Sequence, residues 1–423
     1  MTTRSNSAEH STFRSAADVA HAVRPDVPIY CFRPEVLKAD ARCFLQAFPG
    51  KTAYAVKTNG QPMVLDALVD AGVRCFDVAS PAEFASAVAA KPDAELLYMH
   101  PVKSKSDIRV AIESYRIRAV AADHEAELAK ILRVVEGLDL DPGEITVFIR
   151  FATRGEAAYE LSKKFGAAPG QAAELLQRVH RYGFRAGLCF HVGSQVEELS
   201  TFNDAIATAA SIRKEANVPL DALDIGGGFP ATYAGVDSSA PEVEAVMDSV
   251  NHALKAHALD DLPLVAEPGR VIVARCLSVL VRVLLRKGRR IYINDGIWSS
   301  LSDSWTGKIT LPARFIPDPA NRQRGKASSD LVPFRVCGAT CDSVDVLSRP
   351  FHLPDSVDTG DWIEIGHIGA YSLALRTRFN GFYPDTFVEV TTPFEDGEGQ
   401  QGTATLETMG DVPTPLEIQA DDV

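Results

Sequence analysis

Residues 51–101 read KTAYAVKTNGQPMVLDALVDAGVRCFDVASPAEFASAVAAKPDAELLYMHP, and this stretch decides the fold. Short runs rich in aliphatic and aromatic residues alternate in it with segments of helical periodicity. We place strands at Thr52–Lys57, Arg74–Ala79 and Glu95–Pro101. Met63–Ala71 and Ala82–Ala90 lie between them and put apolar residues on one helical face. The order strand, helix, strand predicts parallel strands joined by crossover helices.

The same alternation continues as far as Arg270. Five further strands are predicted at Ile117–Ala122, Ile145–Phe151, Gly187–Gly193, Ala222–Gly227 and Pro263–Glu267. Helical segments are predicted at Ile108–Tyr115, Glu125–Val135, Gln171–Tyr182, Phe202–Glu215 and Val243–Ala258. Eight strands with seven crossovers over roughly 220 residues are typical of a TIM-type barrel. We therefore predict an α/β chain with a (β/α)8 barrel over residues 37–270.

The sequence changes character after Arg270. Runs rich in Val, Ile and Phe are broken by Pro, Gly and Asp, which predicts a β-rich C-terminal domain, sandwich-like or barrel-like, over residues 271–394. A strand within residues 25–36 is expected to join that domain. Residues 1–24 and the acidic residues 395–423 are polar and poor in aromatics, so both are expected to be largely disordered.

Composition excludes several classes of function. A formal net charge of −13 with no basic stripe argues against a nucleic-acid partner. The most apolar stretch, Val271–Leu285, contains two arginines and is too short to cross a bilayer, so no membrane partner is expected. Seven cysteines without a CxxC pair fit reduced thiols. We expect a cytoplasmic protein with no secretory signal and no metal site.

Barrels bind ligands at the C-terminal ends of their strands, and four of the predicted ends carry chemistry. Strand 1 ends at Lys57, where partial desolvation favours the neutral amine that forms an imine. Strand 6 runs into His191 and Ser194, an aromatic ring and a hydroxyl. Each has a plainer explanation, a surface lysine after a strand and a satisfied core histidine. The two motifs carry weight because they occur together, at the same predicted end of the barrel.

The last two strand ends suggest a phosphate site. Gly226, Gly227 and Gly228 follow strand 7 and let backbone amides approach an anion. Strand 8 ends at Glu267, with Gly269 and Arg270 directly after it. Arg270 beside the glycines would make a phosphate clamp, and Glu267 could hydrogen-bond a pyridinium nitrogen and keep it protonated. An ordinary glycine turn and an ion pair between Glu267 and Arg270 are the alternatives.

These motifs, in this order, resemble those of the fold type III pyridoxal-phosphate decarboxylases of ornithine, lysine, arginine and diaminopimelate. The segment Ala55–Asn59 resembles the cofactor-lysine segment of that family, and Phe76–Ser80 with Glu83 resembles its second-strand signature. The resemblance runs from about Pro28 to Phe382. It implies a pyridoxal 5'-phosphate cofactor. The residues it implies for binding the cofactor are Lys57, Asp77, His191, Ser194, Gly226, Gly227, Gly228, Glu267, Gly269, Arg270 and Tyr371.

The resemblance extends beyond the barrel. Residues 338–343 resemble the segment that reaches into the neighbouring subunit's active site in this family, and residues 369–371 resemble its phosphate-binding tyrosine loop. It implies a homodimer with shared active sites, with Lys57, His191 and Cys341 as catalytic residues. Cys341 would donate a proton to Cα, and Asp342 would bind the distal ammonium of the substrate. A buried apolar thiol is the alternative for Cys341.

The Cys341–Asp342 pair is similar to the ornithine and lysine branch, which favours L-ornithine or L-lysine as the substrate. Ornithine decarboxylases carry a second distal-amine aspartate in the window that here reads Trp305-Thr306-Gly307-Lys308. That window has no acid and contains a cation, although Asp303 could substitute. Diaminopimelate, diaminobutyrate and a modified or carrier-bound amino acid therefore stay open as substrates.

Two other functions are compatible with such a barrel. A racemase would also use a strand-1 lysine, but it needs a catalytic tyrosine opposite and lacks this pattern of three glycines and Glu-Pro-Gly-Arg. Some decarboxylase homologues bind a regulatory protein without catalysis, and those lose their cofactor contacts. Lys57, Glu267 and Arg270 are all present here, which favours an active lyase.

Overall fold

The computed structural model describes residues 12–153, 164–233, 240–307, 309–321, 330–395 and 400–401. These residues form two compact units. The barrel unit consists of the described residues within 37–232 and 239–273. The sheet unit consists of those within 1–36, 233–238 and 274–423.

Eight parallel strands close into a barrel, as the sequence predicts. In order, barrel strands 1 to 8 are Lys51–Ala55, Cys75–Asp77, Glu95–Tyr98, Ala119–Ala122, Thr146–Arg150, Arg185–Cys189, Ala222–Asp224 and Leu264–Ala266. Strand 8 closes the ring by pairing with strand 1 in the register Val265 to Lys51. All eight C-terminal ends therefore lie at one edge of the barrel, which we call the mouth.

Helices connect the strands, and their starts follow ordinary capping chemistry. Ser80, Ser104 and His124 each accept a hydrogen bond from a backbone N–H in the first turn of a helix. Apolar residues at helical spacing then face the barrel. The helices are Pro34–Ala47, Pro62–Ala71, Pro81–Ala90, Lys105–Glu113, Glu125–Glu136, Pro169–Arg181, Leu199–Ala216, Val243–Ala256 and Arg270–Val273, with 3-10 turns at Val56–Thr58 and Pro142–Glu144.

Small and medium side chains fill the barrel interior. The buried cluster consists of Ala53, Cys75, Leu97, Met99, Ala121, Phe148, Cys189 and Val265. Gly187 on strand 6 leaves room for one large member of this cluster, because a Cβ there would lie 2.5 Å from the ring of Phe148. The interior is thus a packed core, and ligand chemistry is confined to the mouth.

The sheet unit contains ten strands in one connected sheet, in agreement with the predicted β-rich domain. Its central strand, Leu277–Lys287, pairs antiparallel with Ile29–Phe32, Arg290–Ile293 and Trp362–Ile365. The remaining strands are Thr12–Phe13, Ala313–Ile316, Leu331–Cys337, Phe351–Pro354, Phe387–Val390 and Gln400–Gln401. Short helices lie at Ala16–Val23, Ser302–Thr306 and Ser372–Leu375, with 3-10 turns at Ala274–Cys276, Pro319–Asn321 and Phe379–Gly381.

The predicted disorder of residues 1–24 is wrong for the described part. Ala16–Val23 is a helix that begins with a capping box, in which Ser15 Oγ accepts from Asp18 N–H and Asp18 Oδ2 accepts from Ser15 N–H. Val19 and Ala20 are fully buried in the sheet unit. The capping box and two small buried side chains offset the polar composition on which the prediction rested.

Disorder is also the wrong expectation for the described residues of the acidic end. Gln400–Gln401 pairs with Arg314 and Phe315 at the sheet edge, and Glu395 forms an ion pair with Arg275 and a hydrogen bond with His367. The other residues of that predicted tail lie outside the described residues.

Among the described residues, no helix has both the length and the apolar character needed to span a membrane. All seven cysteines lie in described segments and are free thiols.

Candidate active site

The lysine that follows strand 1 is held by an aspartate of strand 2. Strand 1 ends at Ala55, and the 3-10 turn Val56–Thr58 carries Lys57 onto the mouth of the barrel. Lys57 Nζ lies 3.1 Å from Oδ2 of Asp77, the last residue of strand 2. The side chain of Asp77 is 5% exposed and that of Lys57 is 41% exposed. The ion pair therefore positions an amine that a ligand can still reach.

The residues after Asp77 cap a helix. Ser80 Oγ accepts a hydrogen bond from Glu83 N–H at 3.4 Å, and Glu83 Oε2 accepts one from Ala79 N–H at 2.7 Å. These two bonds satisfy backbone donors at the start of helix Pro81–Ala90. The second-strand motif of the sequence is thus a structural device that fixes the chain next to Asp77.

His191 follows strand 6 and presents a neutral ring. Its Nδ1 accepts a hydrogen bond from the N–H of Gly193 at 3.1 Å, which puts the proton of a neutral imidazole on Nε2. Burial, reinforced by the positive charges of Lys57 and Arg150, lowers the pKa of His191 well below its usual value. The imidazole of His191 is therefore an uncharged aromatic ring near neutral pH.

The backbone of the glycines after strand 7 lies close to the ends of the neighbouring strands. Gly226 and Gly228 have φ of 67° and 105°, the left-handed region that favours glycine. A Cβ on Gly227 would lie 2.6 Å from the carbonyl oxygen of Glu267 and 3.1 Å from Nε2 of His191. No side chain fits here, as a backbone anion site requires.

Arg270 lies at the same edge, directly after strand 8. It is 3% exposed, and its Nε donates a hydrogen bond to Ser194 Oγ at 3.3 Å. A Cβ on Gly269 would collide with the hydroxyl of Thr58, which follows Lys57. The loops after strands 1, 6 and 8 are therefore packed closely around one small region.

Two buried acids face this region from strands 7 and 8. Burial raises the pKa of Asp224 to about 6. Burial, followed by repulsion from Asp77 and Asp224, raises the pKa of Glu267 well above its usual value. Glu267 is 8% exposed. Burial and these neighbouring charges therefore favour the protonated form of Glu267.

Sequence reasoning missed a group of basic side chains at the mouth. The ring of Phe165 is contacted by His100 at 5.4 Å between centroids, by Arg150 Cζ at 5.5 Å and by Lys164 Nζ at 4.9 Å. Repulsion by Lys103, Lys164, Lys57 and Arg150 adds to burial in lowering the pKa of His100. Arg150 ends strand 5 and His100 comes shortly after strand 3. The strand-end rule that selected Lys57 would have found both.

The remaining predicted residues belong to the sheet unit. Cys341 is exposed, and its N–H donates to Asn380 Oδ1 at 2.9 Å. The adjacent Asp342 accepts a hydrogen bond through Oδ2 from Trp298 Nε1 at 3.2 Å. Tyr371 has φ of 60° and precedes helix Ser372–Leu375. Cys341 and Asp342 are thus presented together on one loop.

The proposed substitute acid is hidden. Asp303 is 2% exposed within helix Ser302–Thr306, while Trp305 on the same helix is 43% exposed. Burial argues against Asp303 as a ligand for a substrate that arrives from solvent. Lys308, the cation in the same sequence window, lies outside the described residues.

Comparison with known proteins agrees with this geometry. Residues 35–274 match the family model described as "Pyridoxal-dependent decarboxylase, pyridoxal binding domain". The lysine/ornithine decarboxylase of Selenomonas ruminantium is 31% identical over 81% of this chain and 83% of that protein. Antizyme inhibitor 2 of Xenopus laevis is 29% identical over 80% and 75%.

A solved structure shares the fold. The arginine decarboxylase of Paramecium bursaria Chlorella virus superposes with a TM-score of 0.77 at 25% identity, covering 89% of this chain and 99% of that one. The match of the family model spans more than half of the chain and contains all eight barrel strands. The chain therefore belongs to the fold type III decarboxylases, which makes it a pyridoxal-phosphate-dependent amino-acid carboxy-lyase.

Proposed function

We propose that the enzyme decarboxylates a basic amino acid, L-ornithine or L-lysine, to the diamine and CO2. The proposal rests chiefly on the pairing of Lys57 with Asp77 at a mouth that also carries a glycine loop and a buried arginine. The carboxylate of Asp342 beside Cys341 supports a substrate with a distal cation. The similar proteins named for lysine, ornithine and arginine decarboxylation support the same class.

The residues at the mouth fit pyridoxal phosphate. The glycine loop offers backbone amides where a Cβ would collide, and Arg270 supplies a buried positive charge for the phosphate. Thr58 Oγ1 is buried and has no hydrogen-bond partner among the described residues, so a ligand atom could satisfy it. In this proposal Lys57 would hold the cofactor covalently, His191 would stack on its ring and Glu267 would bind its ring nitrogen. Asp77, Ser194, Gly269 and Tyr371 complete the proposed cofactor contacts.

When bound, the cofactor supplies an electron sink for the electron pair left at Cα as CO2 departs. The protein holds and moves protons around that event. Glu267, buried at the end of strand 8, would as a carboxylate accept a hydrogen bond from a protonated ring nitrogen and stabilise its positive charge. Asp77 fixes Lys57 Nζ at the mouth. Cys341 donates the proton to Cα. The cations around Phe165 provide a positive region that attracts the α-carboxylate.

We further propose a homodimer in which Cys341 and Asp342 complete the partner's site. Cys341 is exposed within its own subunit, as a group that acts in a neighbour must be. A cytoplasmic location is proposed from the seven free thiols.

The decisive experiment measures CO2 release and the visible absorbance of the lysine-bound cofactor in Lys57→Ala and Lys57→Arg. Both variants should lose the absorbance and roughly three orders of magnitude of activity, because an imine needs the Lys57 amine. Lys51→Ala is the matched control. Lys51 starts the same strand and pairs with Glu95 at the opposite edge of the barrel. Retention of activity in Lys57→Arg would refute the assignment.

The substrate is tested with a panel of L-ornithine, L-lysine, L-arginine, diaminobutyrate, diaminopimelate and L-glutamate. Release from a basic amino acid that is lost in Asp342→Ala would support the proposal. If the enzyme contains the cofactor but releases no CO2 from any basic amino acid, the basic substrate is rejected. The decarboxylase fold and family would be unaffected by that result.

A further inference from the structure

The indole that contacts the carboxylate of Asp342 packs against two further aromatic rings. The ring centroid of Trp298 lies 6.1 Å from that of Trp305 and 6.0 Å from that of Phe379. Trp298 also donates its indole N–H to Asp342 Oδ2 at 3.2 Å. Trp305 is 43% exposed and Phe379 is 45% exposed. Large aromatic side chains are rarely this open unless something covers them.

The carboxylate of Asp342 is already partly occupied. Its Oδ2 accepts from Trp298, and its Oδ1 accepts from the N–H of Val344 at 3.1 Å. A primary ammonium brings three N–H donors and holds its hydration shell strongly, so it needs several acceptors when it leaves water. With one hydrogen bond on each oxygen, the carboxylate keeps about two of its four lone-pair sites, fewer than the three donors of such a group.

A second acid would solve this problem, and none is presented to solvent on the neighbouring helix. Gly307 ends helix Ser302–Thr306, and the acid on that helix, Asp303, is 2% exposed. The side chain that the helix does present is Trp305. An indole face attracts a cation through its quadrupole, so the cation needs no N–H group to bind there. The surroundings of Asp342 therefore suit a large, weakly hydrated cation better than a compact ammonium.

We propose that Asp342, Trp298, Trp305 and Phe379 form the subsite for the distal cation, and that this subsite prefers an N-alkylated ammonium to a primary one. Asp342 supplies the charge, Trp298 positions that carboxylate, and Trp305 and Phe379 supply aromatic faces. The inference rests on the proposed function, because it assumes that Asp342 meets the distal end of a basic substrate. Within the basic amino acids, it ranks those whose distal nitrogen carries alkyl groups above those with a primary ammonium.

The test compares kcat/KM for L-lysine with kcat/KM for Nε,Nε,Nε-trimethyl-L-lysine. In the cofactor-loaded enzyme we expect a ratio of roughly ten in favour of the trimethylated amino acid. Trp305→Leu, which keeps apolar volume but removes the ring, should lower that ratio about tenfold. Trp305→Phe keeps a ring and should retain most of it. An equal ratio in the leucine and phenylalanine variants would overturn the proposal, because packing alone would then explain Trp305.

Binding provides a second readout that does not depend on turnover. Cadaverine and its N,N,N-trimethyl derivative are titrated against the holoenzyme while tryptophan fluorescence is recorded. The third tryptophan, Trp362, is fully buried, so quenching by a bound cation reports on Trp298 and Trp305. Tighter binding of the trimethylated amine, lost in Trp305→Leu, is the expected result.

The outcomes separate the two proposals. Turnover of L-lysine or L-ornithine with no preference for the alkylated analogue would refute the inference and leave the proposed function standing. If the enzyme turns over no basic amino acid, alkylated or not, both proposals are refuted. Sedimentation of each variant shows whether a loss follows from dissociation of the dimer; a monomeric Trp305→Phe would assign Trp305 to the interface and overturn its role in the subsite.

Discussion

Asp224 and Glu267 are buried acids on adjacent strands, and both resist ionisation. Strands 7 and 8 pair Asp224 with Val265, two residues before Glu267. Desolvation disfavours the carboxylate form of each, which raises the pKa of Asp224 to about 6 and the pKa of Glu267 well above its usual value. A cationic ring nitrogen beside Glu267 would favour its carboxylate form, and the resulting ion pair would keep that nitrogen protonated.

Asp224 gives a pH-dependent stability whose sign follows from its raised pKa. The folded state binds the proton more tightly than the unfolded state, in which the pKa is about 4. The stabilisation is complete below that value and is lost as pH rises through about 6. In Asp224→Asn, which cannot ionise, this loss disappears. Relative to wild type, the free energy of unfolding of the variant should increase by on the order of 2–3 kcal/mol between pH 4 and pH 7.

Urea unfolding of the cofactor-free protein across this range measures the difference. Asp221→Asn is the control, because Asp221 lies just before the same strand with a side chain that is 35% exposed. The pH dependence of the Asp224→Asn difference is read against that of Asp221→Asn. A difference for Asp224→Asn that does not change with pH would mean that water reaches Asp224 and that the site does not keep it protonated.

At the scale of elements, one helix contains a matched pair of serines. Ser80 caps helix Pro81–Ala90, whereas Ser86 lies inside it and donates only to Ala82 O. Loss of a cap leaves a backbone N–H without a partner, while an interior serine gains helix propensity when it becomes alanine. Ser80→Ala should therefore lower the opening free energy of the helix by about 1 kcal/mol, and Ser86→Ala should leave it unchanged or slightly raised.

Hydrogen exchange of the amides in this helix reports the effect directly. Exchange should be roughly fivefold faster in Ser80→Ala than in Ser86→Ala. Because the cap adjoins Asp77, the first variant should also weaken retention of the cofactor. Equal exchange in the two variants would show that the capping bonds carry no local stability.

The elements that sequence predicts well are those with a strong period. All eight barrel strands follow from alternation alone, but several predicted ends run past the observed ones. Strand 7 was predicted to reach Gly227 and stops at Asp224, because Gly226 leaves the extended region with φ of 67°. Lys57 likewise lies in a 3-10 turn after its strand. Residues at the mouth therefore belong to loops, which strand periodicity does not describe.

The features that the sequence analysis did not predict have no periodic signal. The helix Ala16–Val23 depends on two reciprocal hydrogen bonds and small buried residues in a polar segment. The basic side chains around Phe165 come from the end of strand 5 and from the segments that follow strands 3 and 5, and they meet only when the barrel closes. The contact between Trp298 and Asp342 joins residues 44 positions apart. Such contacts follow from topology, which one sequence read for local pattern does not supply.

At the scale of the whole molecule, the candidate site is divided between two kinds of surface. The barrel mouth carries the groups proposed to hold the cofactor, and the sheet unit carries the proposed proton donor. Cys341 and Asp342 lie on an exposed loop near Trp298 and Phe379, and both rings contact each other. An exposed aromatic surface around a reactive thiol is suited to a twofold interface, in which each subunit completes the site of the other.

Subunit mixing tests this division. Neither Lys57→Ala nor Cys341→Ala should be active alone, yet random exchange makes about half of the dimers mixed. Each mixed dimer combines one intact barrel with the intact loop of its partner, so activity should recover to about a quarter of wild type. Lys57→Ala mixed with Glu267→Ala is the matched control. Those residues belong to one barrel, every mixed dimer then lacks an intact mouth, and activity should stay absent.

The pattern of recovery distinguishes the possible architectures. Recovery in the first mixture and none in the second requires that Lys57 and Cys341 come from different subunits at each site. Failure of both mixtures, with exchange verified by sedimentation of differently labelled subunits, would place the two residues in one subunit. The exposed loop would then have to fold back onto its own barrel, and the aromatic surface around Asp342 would need a different partner to cover it.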